Sequence, residues 1–201
     1  LPLRLGHAWA LQLTRGPADE EMGAAYSRAL ELSEVLDQPR PRFAALFGMW
    51  RHNMWRHGPS AAVIHSESLR AVGEQSESVA DRVLVNYVTG STRTMNGDEK
   101  AGAHHAQVAW DLFKASSESS LAYRLGHNQG VSSLTILALS QWALGKPSQA
   151  RRTIDEALSE AEAMDEPLTL TVVRAMACSV FELLGVERPD KVEAARAYAN
   201  D

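Results

Sequence analysis

Five glycines divide this chain at nearly even intervals. Gly16, Gly58, Gly97, Gly145 and Gly185 stand 42, 39, 48 and 40 residues apart. Pro17, Pro59, Pro147 and Pro189 follow four of them within four residues, and Asp98 follows Gly97 directly. Glycine ends a helix by adopting a backbone conformation other residues resist, and proline or aspartate suits the first turn of the next. An interval near 40 residues holds two helices and two turns, which is the mark of an array of helical hairpins. On this frame the first helices of the pairs are predicted over 3–15, 41–57, 79–96, 130–144 and 168–184. The second helices are predicted over 18–37, 60–76, 99–115, 148–164 and 190–200.

Residue choice within the intervals agrees. Thirty alanines, few β-branched runs and no Asn-Gly or Asp-Gly between alternating apolar residues favour helix over strand. Pro39, Pro41 and Pro167 fall between the periodic segments, and Pro2 begins one. In 148–164, Ala150, Ile154, Ala157, Leu158, Ala161 and Met164 form one face, while Arg151, Arg152, Asp155, Glu156, Ser159, Glu160 and Glu162 cover the other. Ala29, Ala71, Ala109, Ala157 and Ala197 lie 12 or 13 residues after their glycines, where paired helices must approach closely. The first helices are apolar nearly all round, as from Val172 to Leu184, which suits elements packed between neighbours. The expectation is an all-α chain: one helical-repeat domain over 1–201, an α-α superhelix of about five hairpins.

With 201 residues, 45% of them hydrophobic and 22% charged, such an array can bury a sizeable core. A net charge of −5, with Lys and Arg scattered, argues against direct nucleic-acid binding. Cys178 lies in an apolar run and reads as a buried, inert thiol compatible with a reducing cytoplasm. No apolar run has the length of a membrane span, and the first residues lack the order of a signal peptide. The chain reads as a piece excised from a longer protein, since it opens at Leu1-Pro2 and stops just after a periodic segment.

Leu144-Gly145-Lys146-Pro147-Ser148-Gln149-Ala150, with Ala157 and then Pro167, resembles the tetratricopeptide repeat. Leu137-Ala138, Ala177-Cys178 and Gly90 stand at its close-packed positions before the glycine. The interval exceeds the usual repeat of about 34 residues, and Trp9 and Arg51 replace the small residue in the first two units. A narrower resemblance runs from about Ala24 to Gly185. It rests on Ala25 to Leu32, Leu46 to Trp50, Gly97-Asp98 with His105, Gly126-His127-Asn128-Gln129, and Leu139 to Ala150. These look like the helical C-terminal region of large bacterial regulators, where such repeats follow an ATPase domain and a winged-helix or cyclase domain commonly precedes it. The resemblance implies a sensory or scaffolding role in signalling.

Catalytic patterns are missing. Gly145-Lys146 lacks the upstream glycine of a phosphate loop, and neither a G-x-S-x-G elbow nor an H-E-x-x-H zinc motif occurs. His104 and His105 point about 100° apart on a helix, and His52 and His57 are five residues apart, so neither pair shares a face for one metal. Glu20-Glu21 suits the first turn of a helix and Asp155-Glu156 a solvated face. No enzyme, metal or cofactor is expected.

Two binding regions are candidates. In a tetratricopeptide superhelix the first helices line a concave groove, and the resemblance places there the residues 10, 6, 3 and 2 before each glycine. These are Gly48, His52, Trp55 and Arg56, then Tyr87, Ser91, Thr94 and Met95, then Thr135, Leu139, Trp142 and Ala143. An aromatic, a histidine and an arginine on one groove suit a peptide or a partner helix; the alternative is that Trp55 and Trp142 pack between repeats. The second region is the irregular stretch 116–130, with Tyr123, Arg124, His127, Asn128 and Gln129, which otherwise serves as a solvated connector. The expected function is a protein- or peptide-binding module of a cytoplasmic regulator, with a protein, a peptide or other domains of its own chain as partner. A small-molecule receptor closed by 116–130 is the rival. A structural or dimerising stack, joined through apolar ends at Leu1–Leu5 and Ala194–Tyr198, is the third reading.

Overall fold

A computed structural model describes residues 1–73, 76–116 and 126–185. Among them nine α-helices and no strand are found, and no helix is long and apolar enough to cross a membrane. They are α1 (Pro2–Arg15), α2 (Glu20–Val35), α3 (Pro39–Arg56), α4 (Pro59–Gly73), α5 (Val79–Met95), α6 (Glu99–Ala115), α7 (Gln129–Ala143), α8 (Pro147–Ala163) and α9 (Pro167–Leu183). The helix expected over 190–200 lies outside the described residues.

Each start has a chemical cause. Proline opens α1, α3, α4, α8 and α9, where its missing N–H deprives no helical acceptor. Asp19, Ser78, Asp98 and Asn128 cap α2, α5, α6 and α7 by accepting a main-chain N–H three residues on. Pro41, expected between segments, sits in the first turn of α3, where it is equally harmless. The five turn glycines all have positive φ, from 66° at Gly185 to 92° at Gly58. Helices α2 and α8 end instead at Asp37 and Asp165, with φ of 47° and 51°.

The chain forms two compact units, Leu1–Glu77 and Ser78–Asp201. In the first, α1 to α4 each pack on the next, and α1 also meets α3. Ala8 and Leu11 of α1 close on Met22 and Tyr26 of α2. The glycines of α2 and α3 let these helices approach. A Cβ on Gly48 would lie 2.3 Å from the Tyr26 ring, and one on Gly23 would lie 2.5 Å from the His52 ring. In α4 the buried residues are Ala62, Ser66, Leu69 and Gly73, whereas Ala71, expected inside, is exposed. Helix α4 starts one residue after its glycine and α8 starts two after, so the inner position moves from the expected alanine to Leu69.

In the second unit consecutive helices pack in pairs, and α7 also meets α5 and α9. Trp110, Val131, Leu134, Leu137, Ile154, Leu158, Val173 and Phe181 belong to one continuous core. Helix α7 is buried on nearly every side, from Gln129 to Ala138 and again at Ser140. Helix α9 buries chiefly Thr169, Val173, Ala177, Val180 and Phe181, and Cys178, expected to be buried, is half-exposed beside that face.

Candidate functional site

In the first unit, His52, Trp55 and Arg56 have three different environments. His52 is 8% exposed and turns inward, with its Nδ1 3.3 Å from the carbonyl of Pro17. That carbonyl can only accept, so Nδ1 carries the proton. Burial lowers the His52 pKa most; the Pro17 carbonyl and Asp19 partly oppose this, while His57 and Arg56 lower it further. Arg56 donates to the carbonyl of Ala18 at 3.2 Å and pairs with Glu20. Both residues therefore fasten the end of α3 to the turn before α2. Trp55 faces outward, 63% exposed, with no such anchor. Gly48, expected on a groove, lies against Tyr26 instead.

In the second unit the first-helix positions are largely enclosed. Ser91 and Thr94 of α5 are 4% and 8% exposed, and Thr135 of α7 is 1% exposed. Thr94 and Ser140 share a hydrogen bond of 2.8 Å between their hydroxyls. Tyr87 is half-buried and meets His127 edge to face, with ring centroids 5.8 Å apart. Contacts at 87–127 and 94–140 run in the same order along both segments, so α5 and α7 are parallel.

Of the second candidate region, Tyr123 and Arg124 lie outside the described residues. His127, Asn128 and Gln129 are buried, at 4%, 1% and 5% exposure. Asn128 is the cap of α7, its Oδ1 accepting from the Val131 N–H at 3.0 Å. Its own N–H donates to the Thr169 hydroxyl at 2.7 Å, and that hydroxyl donates to Glu166. Thr94 and Ser140, and Tyr87 and His127, thus link α5 to α7 and the residues just before it, while Asn128 links the start of α7 to α9.

Several groups here have no place in the sequence reading. Ser140 and Thr169 are buried polar partners across these seams. Their signal was available: α7 contains four hydroxyl residues and no charged one, an unusual content for a helix buried on nearly every face. Outside the seam, His105 places Nδ1 2.9 Å from the Asn86 amide oxygen and so joins α6 to α5. Among the described residues no group of three His, Cys, Asp or Glu side chains could hold a metal ion. Comparison with protein-family models, curated proteins and solved structures returns no match for the chain.

Proposed function

We propose that this chain is a non-catalytic partner-binding module, an α-α superhelix of tetratricopeptide-like hairpins within a larger bacterial regulator. The order of packing supports the superhelix: within each unit every helix meets the next, and α1 to α3, α5 to α7 and α7 to α9 add first-helix contacts. Regulator membership rests on the sequence resemblance.

One observation carries the binding reading. Trp55 and Trp142 both stand three residues before a turn glycine. Trp142 uses its indole N–H within its unit, donating to the Leu183 carbonyl at 3.0 Å, whereas Trp55 leaves 63% of its surface to solvent. The backbone beside Trp55 is held by Arg56 through Ala18 and Glu20. A large aromatic on a fastened helix end is the type of group that dominates recognition surfaces, because little freedom remains to be lost on binding. The partner is an extended or helical peptide segment that covers the indole.

Selection of a displayed random-peptide library against the 201-residue chain tests this. Selected peptides are expected to lose at least about tenfold in affinity for Trp55→Ala, which is more than about 1.4 kcal/mol. Retained affinity in Trp55→Ala, or failure to select any peptide, overturns the proposal.

A further inference from the structure

We infer that the outward face of α1 is a self-association surface, on which the same face of a second copy of this chain packs antiparallel about a two-fold axis. The inference does not depend on Trp55, which lies on α3.

Helix α1 is apolar on two sides, and its fold uses one. Ala8 and Leu11 pack on Met22 and Tyr26, and Leu5 joins them. At about 100° per residue, Leu3, Gly6, Ala10 and Leu13 gather within about 80° on the opposite side. All four are exposed, Leu3 at 91% and Leu13 at 56%, and nothing stands within 4 Å of a Cβ built on Gly6. No polar side chain interrupts the stripe, since Arg4, His7, Thr14 and Arg15 all lie outside it. A helix face left to solvent ordinarily carries polar residues. Helix α9 shows the contrast: it exposes Leu168 and Leu183 on one side, but Ser179 and Glu182 share that side and are exposed with them.

Spacing and size identify the occupant. Steps of three, four and three residues form a seam for one other helix, as in a two-stranded coil. The stripe also reads the same from either end. Leu3 and Leu13 stand five residues to either side of Ala8, and Gly6 and Ala10 stand two to either side. In an antiparallel pair crossing at the level of Ala8, Leu3 of each copy meets Leu13 of the other, and Gly6 meets Ala10. A two-fold interface requires this reciprocity. The small residues at the centre let the helix axes approach to about 8 Å, and a leucine pair closes each end. Antiparallel packing also sets the positive N-terminal end of each helix beside the negative C-terminal end of the other. Helix α1 has no acidic residue, and its Arg15 is held outside the stripe by Glu21 at 2.6 Å, so two copies meet without burying a charge. One pair of 14-residue helices covers less than the ~800 Å² per partner of a standard stable interface. The dimer is therefore weak and reversible, with a dissociation constant on the order of 0.1 mM.

Sedimentation velocity of the 201-residue chain from about 10 μM to about 1 mM tests the inference, with a monomer–dimer equilibrium expected across that range. Ala10→Glu is expected to weaken association about tenfold or more, because it forces a charge into both halves of the seam. Its circular dichroism and thermal midpoint at low concentration should match the parent, since Ala10 is exposed in the monomer. Trp55→Ala should leave association unchanged. Orientation is read by mixing Leu3→Cys and Leu13→Cys chains, both in a Cys178→Ser background, under mild oxidation. Cross-links between positions 3 and 13 are expected to dominate over 3–3 and 13–13. Dominant like-with-like cross-links overturn the antiparallel arrangement. Association that survives Ala10→Glu, or that is lost in Trp55→Ala, places the contact on another face and overturns the inference. A chain that stays monomeric up to about 1 mM leaves this face to a helix from elsewhere, and overturns it as well.

Discussion

Trp142 donates its indole N–H to the main-chain oxygen of Leu183 at 3.0 Å, a partner 41 residues away in sequence. Asn128 and Thr169, joined at 2.7 Å at the opposite ends of the same two helices, are also 41 apart. Helices α7 and α9 are therefore parallel and tied at both ends with one constant offset, close to the interval between turn glycines. Leu183 closes α9, where the last carbonyls lack helical partners, and the indole satisfies one of them. Trp142→Phe keeps most of the ring and removes the donor, and a loss of about 1 kcal/mol is expected. Trp55→Phe should stay within about 0.5 kcal/mol of the parent. Urea denaturation of the two variants checks both values; equal effects would refute the distinction.

Two helical glycines, Gly102 of α6 and Gly6 of α1, make a second comparison. A Cβ on Gly102 would stand 2.1 Å from Thr94 Oγ1 and 3.0 Å from the Thr94 main-chain nitrogen. Thr94 cannot turn away without breaking its 2.8 Å bond to Ser140. Gly102→Ala is expected to destabilise by about 1–3 kcal/mol, as overpacking does. Gly6→Ala, in α1 with nothing within 4 Å of the added carbon, should stabilise by about 0.5–1 kcal/mol. Denaturation midpoints moving the same way in both variants would contradict this account.

Leu69 and Ala71 test the phase of α4. Leu69 is fully buried and Ala71 is exposed. Leu69→Ala is expected to cost about 2–5 kcal/mol. Ala71→Lys should change stability by no more than about 0.5 kcal/mol. Calorimetry that found Ala71→Lys the more damaging would restore the alanine to the inner position.

Acid should weaken the first unit. Burial lowers the pKa of His52, and of His65 as well, from the ordinary value of 6.5. The unfolded chain then takes up protons at a pH where the folded chain still resists them. The associated stability is complete above about 6.5 and drains away as pH falls through that value toward the folded pKa values. Denaturation midpoints at about pH 7.5 and pH 5.5 should differ less in the His52→Gln, His65→Gln double variant than in the parent. An unchanged difference would refute the assignment.

The helix boundaries were legible because they rest on local chemistry. A glycine at positive φ, a proline in a first turn and an aspartate or serine cap each act within a few residues. What depends on phase was less legible. Ala71 shares its spacing from the glycine with Ala29, yet α2 begins four residues after its glycine and α4 only one after, so Ala71 turns to solvent and Leu69 inward. The groove positions taken from the resemblance met a similar limit. His52 and Trp55 are three residues apart on one helix, but the absence of a side chain at Gly23 draws His52 inward while Trp55 remains outside.

Helix α7 touches every other described helix of its unit: α5 and α9 alongside, α6 and α8 in sequence. Its main-chain amides should be the slowest in this unit to exchange with heavy water, since exposing them requires opening the whole assembly rather than fraying one edge. A shift of α7 along its axis would be felt at the Thr94, Thr169 and Leu183 contacts together. The helix that holds the unit together is thus also the one through which a local disturbance becomes a collective one.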